Sequence, residues 1–380
     1  MQQDFSAGDG IWQADESHSY SWEGANIMYG KRILEMGLPD LMLSTRSNWP
    51  GRRQEIMGLM EQELYGILPD LRFSQHSLLN QEDRERVHGG NSIFRDMVLV
   101  LETHGKTYTV PYWYVLPRSE QPVPLWIMPC FSRTHPVSAV PAEEICSRGY
   151  GLCCFDYQQV TTDDADFTSG LAAAFYPDGQ RGEHDGGKIA IWAWFASRLL
   201  DEMRKVPEVA SGKICIVGHS RLGKTALWAA ARDTRFAGAA SIQSGCAGAA
   251  LARGNTGETV ADITRTFPFW FAPAYRNYAG QEAHMPFDQH FLLALLAPRP
   301  LCVTSAASDL WADPENEYLA CLAASPVYTL LGEKAIRDLP ELTDDMVLPE
   351  GRIGYCRRPG THCFTRTDWH RILDFMDANL

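Results

Sequence analysis

The pattern of apolar and polar positions changes near residue 86 of the chain. The residues before it are polar and irregular, except between Arg52 and Tyr65, where apolar residues recur at helical spacing up to Gly66. That stretch predicts one helix. We therefore expect residues 1–85 to form an N-terminal extension that packs on a single catalytic domain of residues 86–380, since no repeat or low-complexity linker divides the chain.

The residues after this extension predict a mixed sheet. Two β-rich runs between Ile93 and Leu116 flank His104-Gly105, which indicates an antiparallel hairpin. Short apolar runs then alternate with helical stretches, a pattern typical of buried parallel strands separated by helices. The predicted fold class is α/β, with a mostly parallel sheet, an N-terminal antiparallel hairpin and helices on both faces. The predicted strands are 124–131, 151–157, 213–218, 238–242 and 299–306, and the helices are 141–148, 189–206 and 369–380.

Composition and charge exclude several function classes. With 45% hydrophobic and 21% charged residues, the 380-residue chain has the composition of an ordinary globular protein. Its formal net charge of −13, with no basic run to offset it, argues against a nucleic-acid partner. No run of 18 apolar residues predicts a membrane span, and the first residues do not resemble a signal peptide, which leaves the compartment open. We expect a monomer.

One segment predicts a nucleophile. The apolar run 213–218 ends at Gly218, and His219-Ser220-Arg221 leads directly into a helical pattern. A strand, a sharp turn and a helix form the context of a nucleophile elbow, in which the helix N-terminus supplies N–H groups to an oxyanion. The G-x-S-x-G spacing is broken, because Leu222 occupies the second glycine position. A serine that only caps the helix is the alternative interpretation.

The elbow sequence also carries a family resemblance. Residues 218–224 read Gly-His-Ser-Arg-Leu-Gly-Lys, which resembles the pattern G-[C/H]-S-R-x-G-K of the glucuronoyl esterases, carbohydrate esterase family 15. The resemblance is to the bacterial branch especially. It implies an α/β-hydrolase fold without a cofactor, and the cleavage of esters between 4-O-methyl-glucuronic acid on xylan and lignin alcohols. Further segments that match in the family's order are 49–66, 244–251, 257–260, 286–300, 305–314 and 358–362.

A serine nucleophile needs a base and a third group that orients the base. His362 takes the base position, because in this fold the histidine comes last in the chain; His370 is the alternative, although it lies in the predicted final helix. Many family members carry the acid as a glutamate where this chain has Gln243, which cannot balance the charge of an imidazolium. Asp309, at an acid position that bacterial relatives also use, is therefore the predicted acid. Its alternative role is helix capping, for which Asp313 before Pro314 is better suited.

The resemblance implies four further site residues. Arg221 would help to hold the oxyanion, and its positive charge at a helix start, where the helix dipole disfavours it, argues against a purely structural role. Lys224, Glu258 and Trp311 match sugar-contacting positions; the alternatives are a solvated lysine and a core tryptophan. The cluster Asp288-Gln289-His290 precedes an apolar helix, so we expect Asp288 to be a helix cap and predict no metal site.

These residues predict a serine carboxylic-ester hydrolase that cleaves glucuronoyl esters through an acyl-enzyme. One alternative keeps the chemistry but changes the substrate to acetyl xylan or another carbohydrate ester. A second alternative is a relative that binds carbohydrate without turning it over, which the glutamine at position 243 suggests.

Overall fold

The computed structural model describes residues 11–14, 20–23, 27–41, 48–80, 84–132, 140–336, 341–349 and 351–380. In these ranges an eleven-stranded sheet forms the centre of the fold, beside a separate hairpin of β1 and β2. The strands are β1 (Ile11–Ala14), β2 (Tyr20–Glu23), β3 (Ser74–Leu79), β4 (Arg84–Val87), β5 (Ser92–Thr103), β6 (Lys106–Pro117), β7 (Val123–Cys130), β8 (Gly151–Asp156), β9 (Val209–His219), β10 (Ala239–Ile242), β11 (Leu301–Ala306), β12 (Met346–Leu348) and β13 (Ile353–Arg358).

The sheet is mixed and mostly parallel. Its central strands run parallel in the order β8-β7-β9-β10-β11-β13. Antiparallel β6, β5, β3 and β4 extend one side, and antiparallel β12 closes the other. The predicted hairpin is β5–β6, and its turn residues His104 and Gly105 have φ values of 48° and 72°, as a two-residue turn of type I′ requires.

Helices cover both faces of the sheet because the strands are apolar on both sides. Along β7, Leu125 and Ile127 join one core, whereas Trp126 and Met128 join the other. The larger core contains side chains of α2, α6, α7, α9 and α10, and the smaller one contains side chains of α3 and α11. The predicted fold class is confirmed. The helices are α1 (Ile27–Glu35), α2 (Trp49–Met60), α3 (Ala142–Ser147), α4 (Tyr157–Val160), α5 (Ala172–Phe175), α6 (Lys188–Met203), α7 (Arg221–Arg232), α8 (Val260–Thr266), α9 (Gln289–Ala294), α10 (Pro314–Leu330) and α11 (Arg366–Asp377).

The sequence pattern missed the strands at the sheet edges. Strand β3 lies in the segment expected to be irregular, yet it pairs antiparallel with β5 from Ser74↔Glu102 to Leu79↔Met97. Its polar, largely exposed residues carry little apolar signal, because an edge strand buries few side chains. Helix α2 continues as a π-helix from Glu61 to Tyr65 and places Ile56, Met60 and Leu64 in the larger core. The boundary between an N-terminal extension (1–85) and a catalytic domain (86–380) stays a prediction.

The parallel strands direct the candidate residues to one place. Because β8, β9, β10, β11 and β13 are parallel, their carboxyl ends meet at one edge of the sheet, where ligands bind in open α/β folds. Ser220, Gln243, Asp309 and His362 all follow these ends within a few residues. No helix in the described ranges is both long and apolar enough to cross a membrane.

Candidate active site

Ser220 lies in a strained turn between β9 and α7. Its backbone angles are φ 59° and ψ −129°, a conformation that is costly for a residue with a side chain. The turn is tight, since a Cβ on Gly218 would lie 2.0 Å from the Leu222 carbonyl oxygen. Gly223 approaches the Ser244 Cβ so closely that a Cβ of its own would lie 3.0 Å away. The second glycine of the elbow is therefore needed at position 223, one position later than the pattern G-x-S-x-G places it.

His362 and Asp309 meet beside this turn. The Nδ1 atom of His362 lies 2.6 Å from Oδ2 of Asp309, and the Asp309 side chain is buried. Two backbone bonds join the loops that carry them, from Ala307 N–H to the Arg358 carbonyl (2.8 Å) and from Ser308 N–H to the Gly360 carbonyl (2.9 Å). A carboxylate at Nδ1 favours the tautomer whose Nε2 accepts a proton. The arrangement suits general-base chemistry.

The alternative residues have structural contacts elsewhere. Nε2 of His370 lies 2.9 Å from a carboxylate oxygen of Glu144; the His370 side chain is exposed and that of Glu144 is half-buried. The Asp313 carboxylate accepts the N–H of Asn316 and caps α10. Asp288 likewise caps α9, and it pairs with Arg253 at 3.1 Å.

Gln243 is bonded to the backbone of Cys363, the residue after His362, and not to the His362 ring. Its Oε1 accepts the Cys363 N–H at 2.8 Å, and its Nε2 donates to the Cys363 carbonyl at 3.1 Å. The same Oε1 lies 3.4 Å from Nε2 of His219. The His219 ring is stacked obliquely against His362, with 4.6 Å between the centroids. Burial, followed by the nearby charge of His362, lowers the pKa of His219 to about 4. His219 therefore adds no positive charge beside His362 at neutral pH.

Arg221 is held by a carboxylate that the sequence did not single out. Its Nη1 donates to Oδ2 of Asp163, which also accepts the Tyr157 hydroxyl at 2.8 Å. The other oxygen, Oδ1, accepts Nε1–H of Trp270 at 2.6 Å. The guanidinium carbon lies 4.7 Å from the Trp270 ring and 5.4 Å from that of Phe267. Three donors therefore fix Asp163, and Asp163 in turn orients the guanidinium.

Lys224, Glu258 and Trp311 form a group beside the elbow. The Lys224 ammonium is buried and donates to the Ser244 carbonyl. Burial lowers the pKa of Lys224, and the negative charge of Glu258 opposes that shift; burial likewise raises the pKa of Glu258, with Lys224 opposing it. Glu258 N–H donates to the Trp311 carbonyl at 2.9 Å, and Trp311 itself is 58% exposed. The structure thus places these three predicted residues together, as two buried charged side chains and one exposed aromatic ring.

Comparisons with known proteins identify the family of the chain. The sequence signature of the family described as "Glucuronyl esterase, fungi" matches residues 100–332. The chain is 40% identical to carbohydrate esterase MZ0003 of an unknown prokaryotic organism over 240 residues. This aligned segment is 63% of this chain and 55% of that protein. It is 33% identical over 159 residues to 4-O-methyl-glucuronoyl methylesterase of Hypocrea jecorina, which covers 39% and 34%. Among solved structures, a promiscuous CE15 esterase from a marine bacterial metagenome superimposes with a TM-score of 0.80 at 30% identity, covering 89% of this chain and 94% of that one.

The chain belongs to the glucuronoyl esterases, carbohydrate esterase family 15. The resemblance to its bacterial branch is confirmed. The match spans about half the length of the first curated relative and a third of the second.

Two residues of this family member were not predicted from sequence. Asp163 is one of three acids in the run Thr-Thr-Asp-Asp-Ala-Asp, and nothing in that run separates it from its neighbours. Trp270 lies in an aromatic stretch that predicts only core packing. Their contacts depend on the loop after β8 reaching across to α7, which local patterns do not encode.

Glu317 is a buried carboxyl beneath the site. It accepts the Ser305 hydroxyl and, at 3.0 Å, the Gly245 N–H. Burial raises its pKa to about 7, although these hydrogen bonds oppose the shift. The carboxyl anchors the turn after β10 from below.

Asp163→Asn should lower kcat about tenfold with little change in KM, because Arg221 loses its charged anchor while Lys224, Glu258 and Trp311 are untouched. Steady-state kinetics on a glucuronate ester measure both constants. Asp164→Asn is the matched control, since Asp164 lies in the same loop and bonds Thr162 rather than Arg221. Equal losses in both variants would assign the effect to the loop and contradict this role.

Glu317→Gln should reduce the pH dependence of stability. Between about pH 4.5 and 7 the folded carboxyl keeps a proton that the unfolded chain has lost, so the wild-type protein loses stability as the pH rises through that window. A neutral glutamine removes this loss, which amounts to about 2 kcal/mol between pH 5 and 8. Urea unfolding at the two pH values measures the difference. Glu315→Gln, on the same helix, should behave as the wild type does; parallel curves for all three proteins would contradict the assignment.

Proposed function

We propose that the chain hydrolyses carboxylic esters of a 4-O-methyl-glucuronoyl unit through an acyl-enzyme. The hydrogen bond of 2.6 Å between His362 Nδ1 and Asp309 beside the strained Ser220 carries this proposal. Family membership, and the name of the methylesterase from Hypocrea jecorina, support the glucuronoyl substrate. That the enzyme acts as a monomer stays a prediction.

Each residue has a role in the acylation step. The Ser220 hydroxyl attacks the C6 carbonyl carbon while Nε2 of His362 takes its proton, and Asp309 balances the imidazolium that forms. Backbone N–H groups at the start of α7 and the guanidinium of Arg221 stabilise the oxyanion. His362 then returns the proton to the departing alcohol. Water attacks the acyl-enzyme by the same route and releases the uronic acid.

The sugar would bind between the buried charges and the open ring. An ammonium has three donors, so Lys224 can donate to a sugar hydroxyl while it keeps its bond to Ser244. The Glu258 carboxylate accepts hydroxyl protons, and the exposed face of Trp311 offers an apolar platform to a pyranose ring. In this arrangement Lys224 and Glu258 should favour a uronate ester over an acetyl ester, since an acetyl ester has no hydroxyls on the acyl side.

A second candidate function is the cleavage of other carbohydrate esters, including acetyl xylan. The site is open, with His362 42% exposed, and the structurally similar esterase of the marine metagenome is described as promiscuous. In this case the catalytic residues keep their roles, and only the acyl group changes.

Hydrolysis of benzyl glucuronate and of an acetylated sugar by wild type and Ser220→Ala tests both functions. We expect cleavage of the glucuronate ester that Ser220→Ala reduces by at least a thousandfold, because the nucleophile is lost. Lys224→Met should raise KM for benzyl glucuronate more than for the acetylated sugar.

Release of acetate alone would retain the esterase but overturn the substrate. If neither ester is cleaved while a glucuronate-containing oligosaccharide still binds, the chain is a binding protein and the catalytic proposal fails. Labelling of Ser220 by a fluorophosphonate separates these outcomes, since it requires a reactive serine and no sugar.

A further inference from the structure

The backbone of Cys363, directly after the base, is bonded at both of its polar groups. Gln243 accepts the Cys363 N–H and donates to the Cys363 carbonyl, at 2.8 and 3.1 Å. The Gln243 carboxamide thus pairs with the N–H and the carbonyl of Cys363, in the way that residues on neighbouring strands of a sheet pair. Gln243 is itself buried at the end of β10 with φ 48°, so its side chain starts from a fixed backbone position.

Arg358 holds the same loop from the other side. Its Nη2 donates to the carbonyls of Cys363 and Thr361, and its Nη1 donates to that of Pro359 at 2.9 Å. Its Nε lies 2.9 Å from the Asp368 carboxylate, and both side chains are buried. Asp368 also completes the capping box of α11. The loop is therefore bonded along its length to groups that are themselves anchored.

Besides this loop, the Asp309 carboxylate and the His219 ring contact the His362 side chain. Its ring is 42% exposed, and Asp309 is bonded to Nδ1 only. One hydrogen bond fixes the distance to Asp309, and the His219 ring covers one side of the imidazole, but neither contact fixes the backbone from which the ring extends. The flanking backbone decides where Nε2 points, and a misplacement of about 1 Å can cost a hundredfold in rate.

We propose that Gln243 is a positioning residue that, together with Arg358, clamps the Cys363 peptide groups and so aligns His362 on Ser220. The role needs a side chain that donates and accepts at once. A glutamate offers acceptors alone and would place its charge against the Cys363 carbonyl. Gln243 is therefore suited to its task as a carboxamide, and its amide is not a defective acid. This inference rests on the proposed ester chemistry but not on the glucuronoyl substrate.

The test compares Gln243→Glu and Gln243→Met, with Gln281→Glu as a matched control at an exposed site. Each protein is titrated with a fluorophosphonate, which counts folded, reactive Ser220 without reference to a sugar. The labelling rate, and kcat and KM for benzyl glucuronate, are then expressed per active site. We expect both Gln243 variants to lose about tenfold or more in labelling rate and in kcat, with KM within twofold of the wild-type value, whereas the control is unchanged.

Two results would overturn the proposal. An unchanged rate per titrated site, with only a lower yield or melting temperature, would make Gln243 a structural residue. A Gln243→Glu variant that equals or exceeds the wild type would show that the position does not require a side chain that both donates and accepts. If the wild type labels with fluorophosphonate but cleaves no glucuronate, the proposed substrate fails while the labelling rates still decide the role of Gln243.

Discussion

The close approach of strand β9 and helix α7 is the constraint on which the site depends. Ser220 has a positive φ because Gly218 and Leu222 leave no room for a wider turn. The strain costs on the order of 1–3 kcal/mol, and the packing of β9 between β7 and β10 must offset it. In return, the hydroxyl projects above the carboxyl edge of the sheet, where the loops after the other parallel strands can reach it.

Charges around that edge lie next to charges of opposite sign. Asp163 pairs with Arg221 in a partly buried contact, Glu258 lies near Lys224 and Asp368 pairs with Arg358, the last two pairs being buried. A buried ion pair contributes little net stability, but the loss of one partner leaves the other charge uncompensated. Such groups therefore fix geometry more than they stabilise the fold. This is the property that an oxyanion site requires, because its donors must be in place before charge develops.

The sequence predicts most of the fold, and it singles out Ser220, Asp309 and His362, which the structure brings to one edge of the sheet. Strands β7 to β11 are buried on both faces and read as apolar runs, whereas β3 exposes its polar side chains and was missed. The order of Ser220, Asp309 and His362 follows from the order of the strands, so Asp309 could be chosen over Gln243 without coordinates. The contact of Gln243 could not be predicted, since its amide reaches the Cys363 backbone 120 residues away instead of the base. The contacts of Asp163 could not be predicted for the same reason, since Arg221 and Trp270 are also far from it in the sequence.

The positions of Gln243 and Asp309 suggest a division of labour between the two strands next to the elbow. Strand β11 leads to Asp309, which is bonded to His362, and β10 leads to Gln243, whose neutral amide is bonded to the residue after His362. A second carboxylate at position 243 would lie near His219 and compete for the charge of the imidazolium, drawing it away from Asp309. With the neutral amide at position 243, Asp309 is the carboxylate bonded to His362. In the proposed mechanism, the positioning of the base and the balance of its charge are therefore assigned to different residues.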